Sequence, residues 1–210
     1  MRLHFTFGFV LSTLVAGIGP RLSFAQFPGA DLRQKAMVDA TDTFNEEQIL
    51  ILDQAWILAR SLVAEDFRLD FHDFRSWPVD IKRFEELAPE ELVEGVFAQL
   101  FRYQRLSGPV VLGARPDFYR ICLYDPAILG AVAKEPGLEL EALLTYILTH
   151  EFIHVARFAK FMEIFNVDDA SRAAEEEIVH RETFRLMKTL SLPGLDLVLD
   201  LYRNHRLPVD

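Results

Sequence analysis

Apolar residues recur at helical spacing early in the chain and run almost unbroken through the middle of its second half. Ile49, Leu52, Trp56, Ala59 and Val63 return every three or four positions, behind Asn45-Glu46-Glu47-Gln48, a cap residue followed three positions later by Gln. An amphipathic helix over about 45–64 is predicted. From Asp66 to Asp80 the residues Phe67, Phe71, Phe74, Trp77 and Pro78 are scattered among charges with no sustained period, which predicts a packed loop. Pro89-Glu90-Glu91 opens a second predicted helix. Proline suits a first turn, the acids face the positive helix end, and Val93, Val96, Phe97, Leu100 and Phe101 follow on one side. Ser107-Gly108-Pro109 should end it.

The pattern then changes. Val110-Val111-Leu112 and Phe118 to Tyr124 are rich in β-branched and aromatic residues, and the turn formers of Gly113 to Asp117 part them, so a small antiparallel strand pair is expected. Helix dominates again from Pro126 to about Leu190, with breaks at Pro136-Gly137 and Asn166 to Asp169 and a bend at Pro193-Gly194. No internal repeat is visible, and a chain of 210 residues is of single-domain size.

The first 25 residues stand apart from this pattern. Arg2 and His4 make a short basic start, Phe5 to Gly19 is an uncharged, mostly apolar run of 15 residues, Pro20 breaks it, and Ser23-Phe24-Ala25 offers a small-x-small site before Gln26. Residues 1–25 therefore read as a secretory signal peptide and 26–210 as the mature domain. The run falls short of the ~20 residues a permanent membrane helix needs. Export to the periplasm or the exterior is expected, with no stable membrane insertion unless the segment is retained as an anchor.

Composition narrows the function classes. Half the chain is apolar, including 18 Phe, which implies a packed core and excludes a largely disordered chain. The 22 basic and 32 acidic residues give −10; without Arg2 and Arg21 the balance is 20 against 32, or −12. That sign is wrong for neutralising phosphates, so nucleic acid is not an expected partner. Cys122 is the lone cysteine and reads as a small core residue in mid-strand. A disulfide framework and paired-thiolate zinc sites are excluded, which leaves His, Asp and Glu to hold any metal.

The chemistry lies between Leu138 and Phe165. From Ala142 to Ala156 Glu151 is the one formally charged residue, flanked by His150 and His154 among Leu143, Leu144, Ile147, Leu148, Phe152, Ile153 and Val155. A helix apolar nearly all round is buried, and burying a carboxylate with two imidazoles is costly unless they are hydrogen-bonded or bind a metal. Residues four apart lie about 40° apart around a helix, so both imidazoles can reach one ion while Glu151 points to its side.

This arrangement, His-Glu-x-x-His spelled HEFIH, resembles the zincin metallopeptidases. In that superfamily the two His bind Zn²⁺ and the Glu acts as general base on the water at the metal. The resemblance implies an α+β, helix-dominated zincin-like domain with a small antiparallel sheet before the active-site helix, a zinc cofactor, a peptide or protein substrate and peptide-bond hydrolysis. The metzincin extension needs glycine at position 157 and histidine at 160; Arg157 and Lys160 exclude that branch. Glu175-Glu176-Glu177 in the following helix resembles instead the gluzincin plan, in which a Glu of the next helix completes the site. Helical phase favours Glu176 as the third ligand, with His180 one turn later where gluzincins usually carry a supporting Asp or Asn. Glu177 is the alternative ligand. Zincins also accept substrate as an added strand at a sheet edge, and Phe118 to Tyr124 is the strand expected to receive it.

Other readings use the same residues. The two histidines can be satisfied core residues and the triple Glu a solvated helix start, and a zincin-like fold can hold metal as a non-catalytic scaffold. Glu151/His154 and Glu177/His180 are each Glu-x-x-His, the unit of helical di-iron carboxylate sites. Only 22 residues, Val155 to Glu176, part the two units, where such bundles place another helix. Tyr119, Tyr124 and Tyr146 are available as donors to an oxyanion, and His72 reads as a surface residue.

Overall fold

The computed structural model describes residues 43–70, 73, 78–92, 96–103, 118–160 and 169–203. In chain order the elements are α1 (Glu46–Asp66), β1 (Val79–Lys82), β2 (Ala98–Tyr103), β3 (Phe118–Leu123), α2 (Asp125–Lys134), α3 (Leu140–Lys160), α4 (Asp169–Met187) and α5 (Leu195–Leu201). The architecture is α+β and helix-dominated. The leader, His72, Val110 to Leu112 and the break at Asn166 lie outside the described residues.

The predicted capping box starts α1. The Gln48 amide donates to the Asn45 side chain at 2.9 Å, and the Asn45 amide donates to the Gln48 side chain at 2.9 Å. Leu52, Ala55, Ala59 and Val63 form its buried stripe, and α1 packs along α3 with the Trp56 and Phe152 rings 4.7 Å apart. Helix α3 is the centre of the molecule: every residue from Ala142 to Ala156 is buried, as its all-round apolar character requires.

The second predicted helix does not form. Pro89–Glu91 makes a single 3₁₀ turn, and Ala98–Tyr103 continues as strand β2. Its first four residues, Gln99 among them, are all buried, so both faces are covered and the alternation that marks a half-buried strand is missing.

The sheet also differs from the expected antiparallel strand pair. Among the described residues it has three strands in the order β1-β3-β2, with β3 parallel to β1 and antiparallel to β2. It is therefore mixed, and β3 lies in its middle. A strand hydrogen-bonded on both sides has no free edge, so Phe118 to Leu123 cannot receive an added substrate strand. Tyr119, Ile121 and Leu123 join the core, while Arg120 on the opposite face reaches Asp80 and Glu91.

Glu91 ties the 3₁₀ turn to all three strands. Its carboxylate, on a residue 3% exposed, accepts from the Tyr103 hydroxyl (2.6 Å), the Ala88 amide (2.9 Å), Lys82 (3.1 Å) and Arg120 (3.1 Å). The Tyr124 hydroxyl donates to its backbone carbonyl. Burial by itself pushes this carboxyl up, but the donors, Tyr103 foremost, outweigh it and hold the group at about 2.

The predicted bend is a backbone requirement. Gly194 has φ 72°, and a Cβ there would lie 2.7 Å from the Glu139 side chain, so this turn needs glycine. Among the described residues no helix is long and apolar enough to cross a membrane.

Candidate metal centre

His150 and His154 occupy successive turns of α3, and both are buried. Their Nε2 atoms lie 3.0 Å apart. Helix α4 packs against α3 and brings Glu176 across, with one carboxylate oxygen 3.4 Å from His150 Nε2 and the other 3.4 Å from His154 Nε2. The three donor groups lie within 4.8 Å of one another and could hold a metal ion. Donors at about 2.0–2.1 Å from a shared tetrahedral ion are separated by roughly 3.3–3.4 Å. Each His–Glu separation, measured to a different oxygen of Glu176, has that value, and the His–His separation is shorter at 3.0 Å.

The chemistry of the donor set fits a metal. Two imidazoles and one carboxylate are a three-ligand set of the kind that leaves a fourth tetrahedral position open. Both Nε2 atoms turn toward Glu176, while His154 Nδ1 has no hydrogen-bond partner among the described residues. Thr149 Oγ1 and Glu151 Oε2 are also buried without one. Glu176 is the member of the group that meets solvent, with its side chain 30% exposed.

The charges at the site are coupled. Burial raises Glu176, but His154 and His150 outweigh it and hold the carboxyl well below its usual range. His154 is shifted upward: burial opposes its charge, and the facing Glu176 carboxylate prevails. Burial pushes Glu151 up to about 8, with the His154 charge lowering it and the Glu176 charge raising it. A cation at the three donors would favour the ionised form of this carboxyl.

The structure separates the three consecutive acids. Glu176 faces the histidines, as helical phase suggests, and Glu177 is not part of the group. Glu175 turns to Arg157 of α3 and makes a two-pronged ion pair. Sequence reasoning missed this pair, because its partners are 18 residues apart across a helix break and neither charge has a local periodic signature. His180 is buried with its ring 4.6 Å from that of His150.

The remaining candidates lie elsewhere. Cys122 is a fully buried strand residue whose thiol burial pushes up, the opposite of an activated nucleophile. Tyr124 is engaged with Glu91 and Gln99, the Tyr146 ring stacks on Tyr202 at 4.6 Å, and Tyr119 is a core residue of β3.

Glu176→Gln should weaken metal affinity by more than the roughly 10–100-fold that losing a ligand-orienting residue costs, because a neutral amide is a poorer ligand for a cation than the carboxylate it replaces. Glu177→Gln should leave affinity unchanged. Competition against a chromophoric chelator measures both, and a dominant loss at 177 would reverse the assignment. No protein-family model, curated protein or solved structure matches this chain.

Proposed function

We propose that the protein is a zinc-dependent hydrolase acting on peptides or proteins, with His150, His154 and Glu176 as metal ligands and Glu151 as general base. The observation that carries this reading is the convergence of three donor groups from two helices on one point beside a buried carboxylate. When bound there, zinc would polarise a substrate carbonyl and make water acidic enough to yield a nucleophile near neutral pH.

The chain's own residues supply the rest. Glu151 follows His150 on the buried helix, and one of its oxygens has no hydrogen-bond partner among the described residues. That oxygen is available to accept a proton from water and return it to a leaving amine. Its surroundings are dry, so charge interactions there are stronger than in water. Substrate approaches on the side of Glu176, the solvent-accessible ligand. Export through residues 1–25 belongs to the same proposal and places the hydrolysis outside the cytoplasm.

The test is metal content followed by cleavage. Purified protein dialysed against zinc should hold about one equivalent, and a broad peptide library should be cut in a reaction that a chelator stops and zinc restores. Iron at about two per chain would favour the paired Glu-x-x-His reading. Zinc binding with no cleavage across the library would make the domain a metal-binding scaffold, and no metal uptake would defeat every metal reading.

A further inference from the structure

We propose that the Arg157–Glu175 ion pair is a positioning clamp, which sets Glu176 against His150 and His154; this rests on the metal-site reading above. Arg157 stands three residues after His154 on α3, and Glu175 immediately precedes Glu176 on α4. Arg157 Nε donates to Oε1 of Glu175 at 2.5 Å and Nη2 donates to Oε2 at 2.7 Å. A two-pronged guanidinium–carboxylate pair fixes both separation and orientation, which a single point contact does not. The side chains are only 15% and 11% exposed, so water screens the pair less than a surface ion pair.

The packing of α4 shows why a clamp is needed at this point. Between Ala173 and Ile178 the one buried residue is Glu175. The buried apolar residues among those described in α4 are Val179, Leu186 and Met187, all on the far side of Glu176. Apolar burial therefore begins at Val179, one turn after Glu175, and among the described residues from Ala173 to Ile178 the buried contact is the charge pair. Metal–ligand distances tolerate only about ±0.2 Å, so a small displacement of this turn would take the carboxylate out of reach of the shared ion. The clamp links the turn of the third ligand to the helix of the first two.

The experiment measures zinc affinity of the full chain by chelator competition, together with hydrogen exchange and thermal melting of the metal-free protein. Arg157→Met and Glu175→Gln should each weaken zinc binding by about 10–100-fold, the usual cost of losing a residue that orients a ligand. Amide exchange in the first turns of α4 should speed up. Arg157→Lys keeps the charge without the fork and should fall between wild type and Arg157→Met; it also serves if Arg157→Met does not fold. The reversed pair Arg157→Glu/Glu175→Arg should bind zinc more tightly than either reversal alone.

Arg185→Met is the control. It removes a comparable pair with Asp66 near the other end of α4, where the guanidinium side chain is 49% exposed, and should leave zinc affinity unchanged. Wild-type binding with undiminished affinity in Arg157→Met and Glu175→Gln would overturn the clamp and spare the metal site. An equal loss in Arg185→Met would also overturn it, because any loosening of α4 would then suffice. Absence of zinc binding by wild type would overturn both the site and the clamp.

Discussion

Replacing Glu151 with Gln should leave zinc content unchanged and cut peptide hydrolysis by about 10²–10⁴-fold, the usual range for losing a general base. The amide has the shape of the carboxylate but cannot accept the water's proton. Glu151 is buried, its carboxyl is pushed up to about 8 by that burial, and Oε2 lacks a hydrogen-bond partner among the described residues. Removing a buried ionisable group of this kind relieves a desolvation penalty, so the melting temperature should hold or rise. The combination of intact fold, intact zinc and lost turnover is what separates a general base from a residue that supports the ligands. Cleavage rate, zinc content and melting temperature need to be recorded on the same preparations. Activity that survives the substitution would sink the mechanism, and loss of zinc together with activity would assign Glu151 to metal retention instead.

Glu91→Gln should give the largest loss of stability away from the candidate metal site, about 3 kcal/mol at neutral pH. Its carboxyl stands at about 2 in the folded protein against an ordinary value of 4.5, a difference of about 2.5 units at ~1.36 kcal/mol per unit. The sign follows from the direction of the shift. A carboxyl depressed by folding stabilises the native state fully above its unfolded value, and this contribution is lost as pH falls from about 4.5 toward 2. The wild type should therefore lose stability in acid through that window, while the variant changes less there because it has no carboxyl to protonate. A loss of this size lowers the melting temperature of a chain this long by roughly 6–12 °C. Urea unfolding at neutral pH and at several points below pH 4.5 measures it. A variant with wild-type stability at neutral pH would show that the network of Tyr103, Lys82 and Arg120 does not depend on the charge of Glu91.

What the sequence by itself determined is whatever neighbouring residues specify without help from distant ones. The Asn45–Gln48 cap is a local exchange of hydrogen bonds, and it starts α1 as its spacing predicts. The apolar run from Ala142 to Ala156 could only be a buried helix, and four-residue spacing on it brings His150 and His154 together whatever surrounds them. The bend at Pro193-Gly194 is likewise local, since glycine tolerates the φ of 72° found there, although the close approach of Glu139 is tertiary. Tertiary structure decided the rest. Residues 98–103 carry no alternation because both faces of β2 are covered, so only their pairing with β3 makes them a strand. Which strand lies at the centre of the sheet depends on β1, whose four residues are too few to signal themselves. The three consecutive acids are chemically alike, and the rotation of α4 against α3 alone gives Glu176 to the histidines and Glu175 to Arg157. An ion pair or a shared metal spans residues far apart in the chain, and its geometry is set only when the helices dock; helical periodicity records which face a residue occupies, but not what that face will meet.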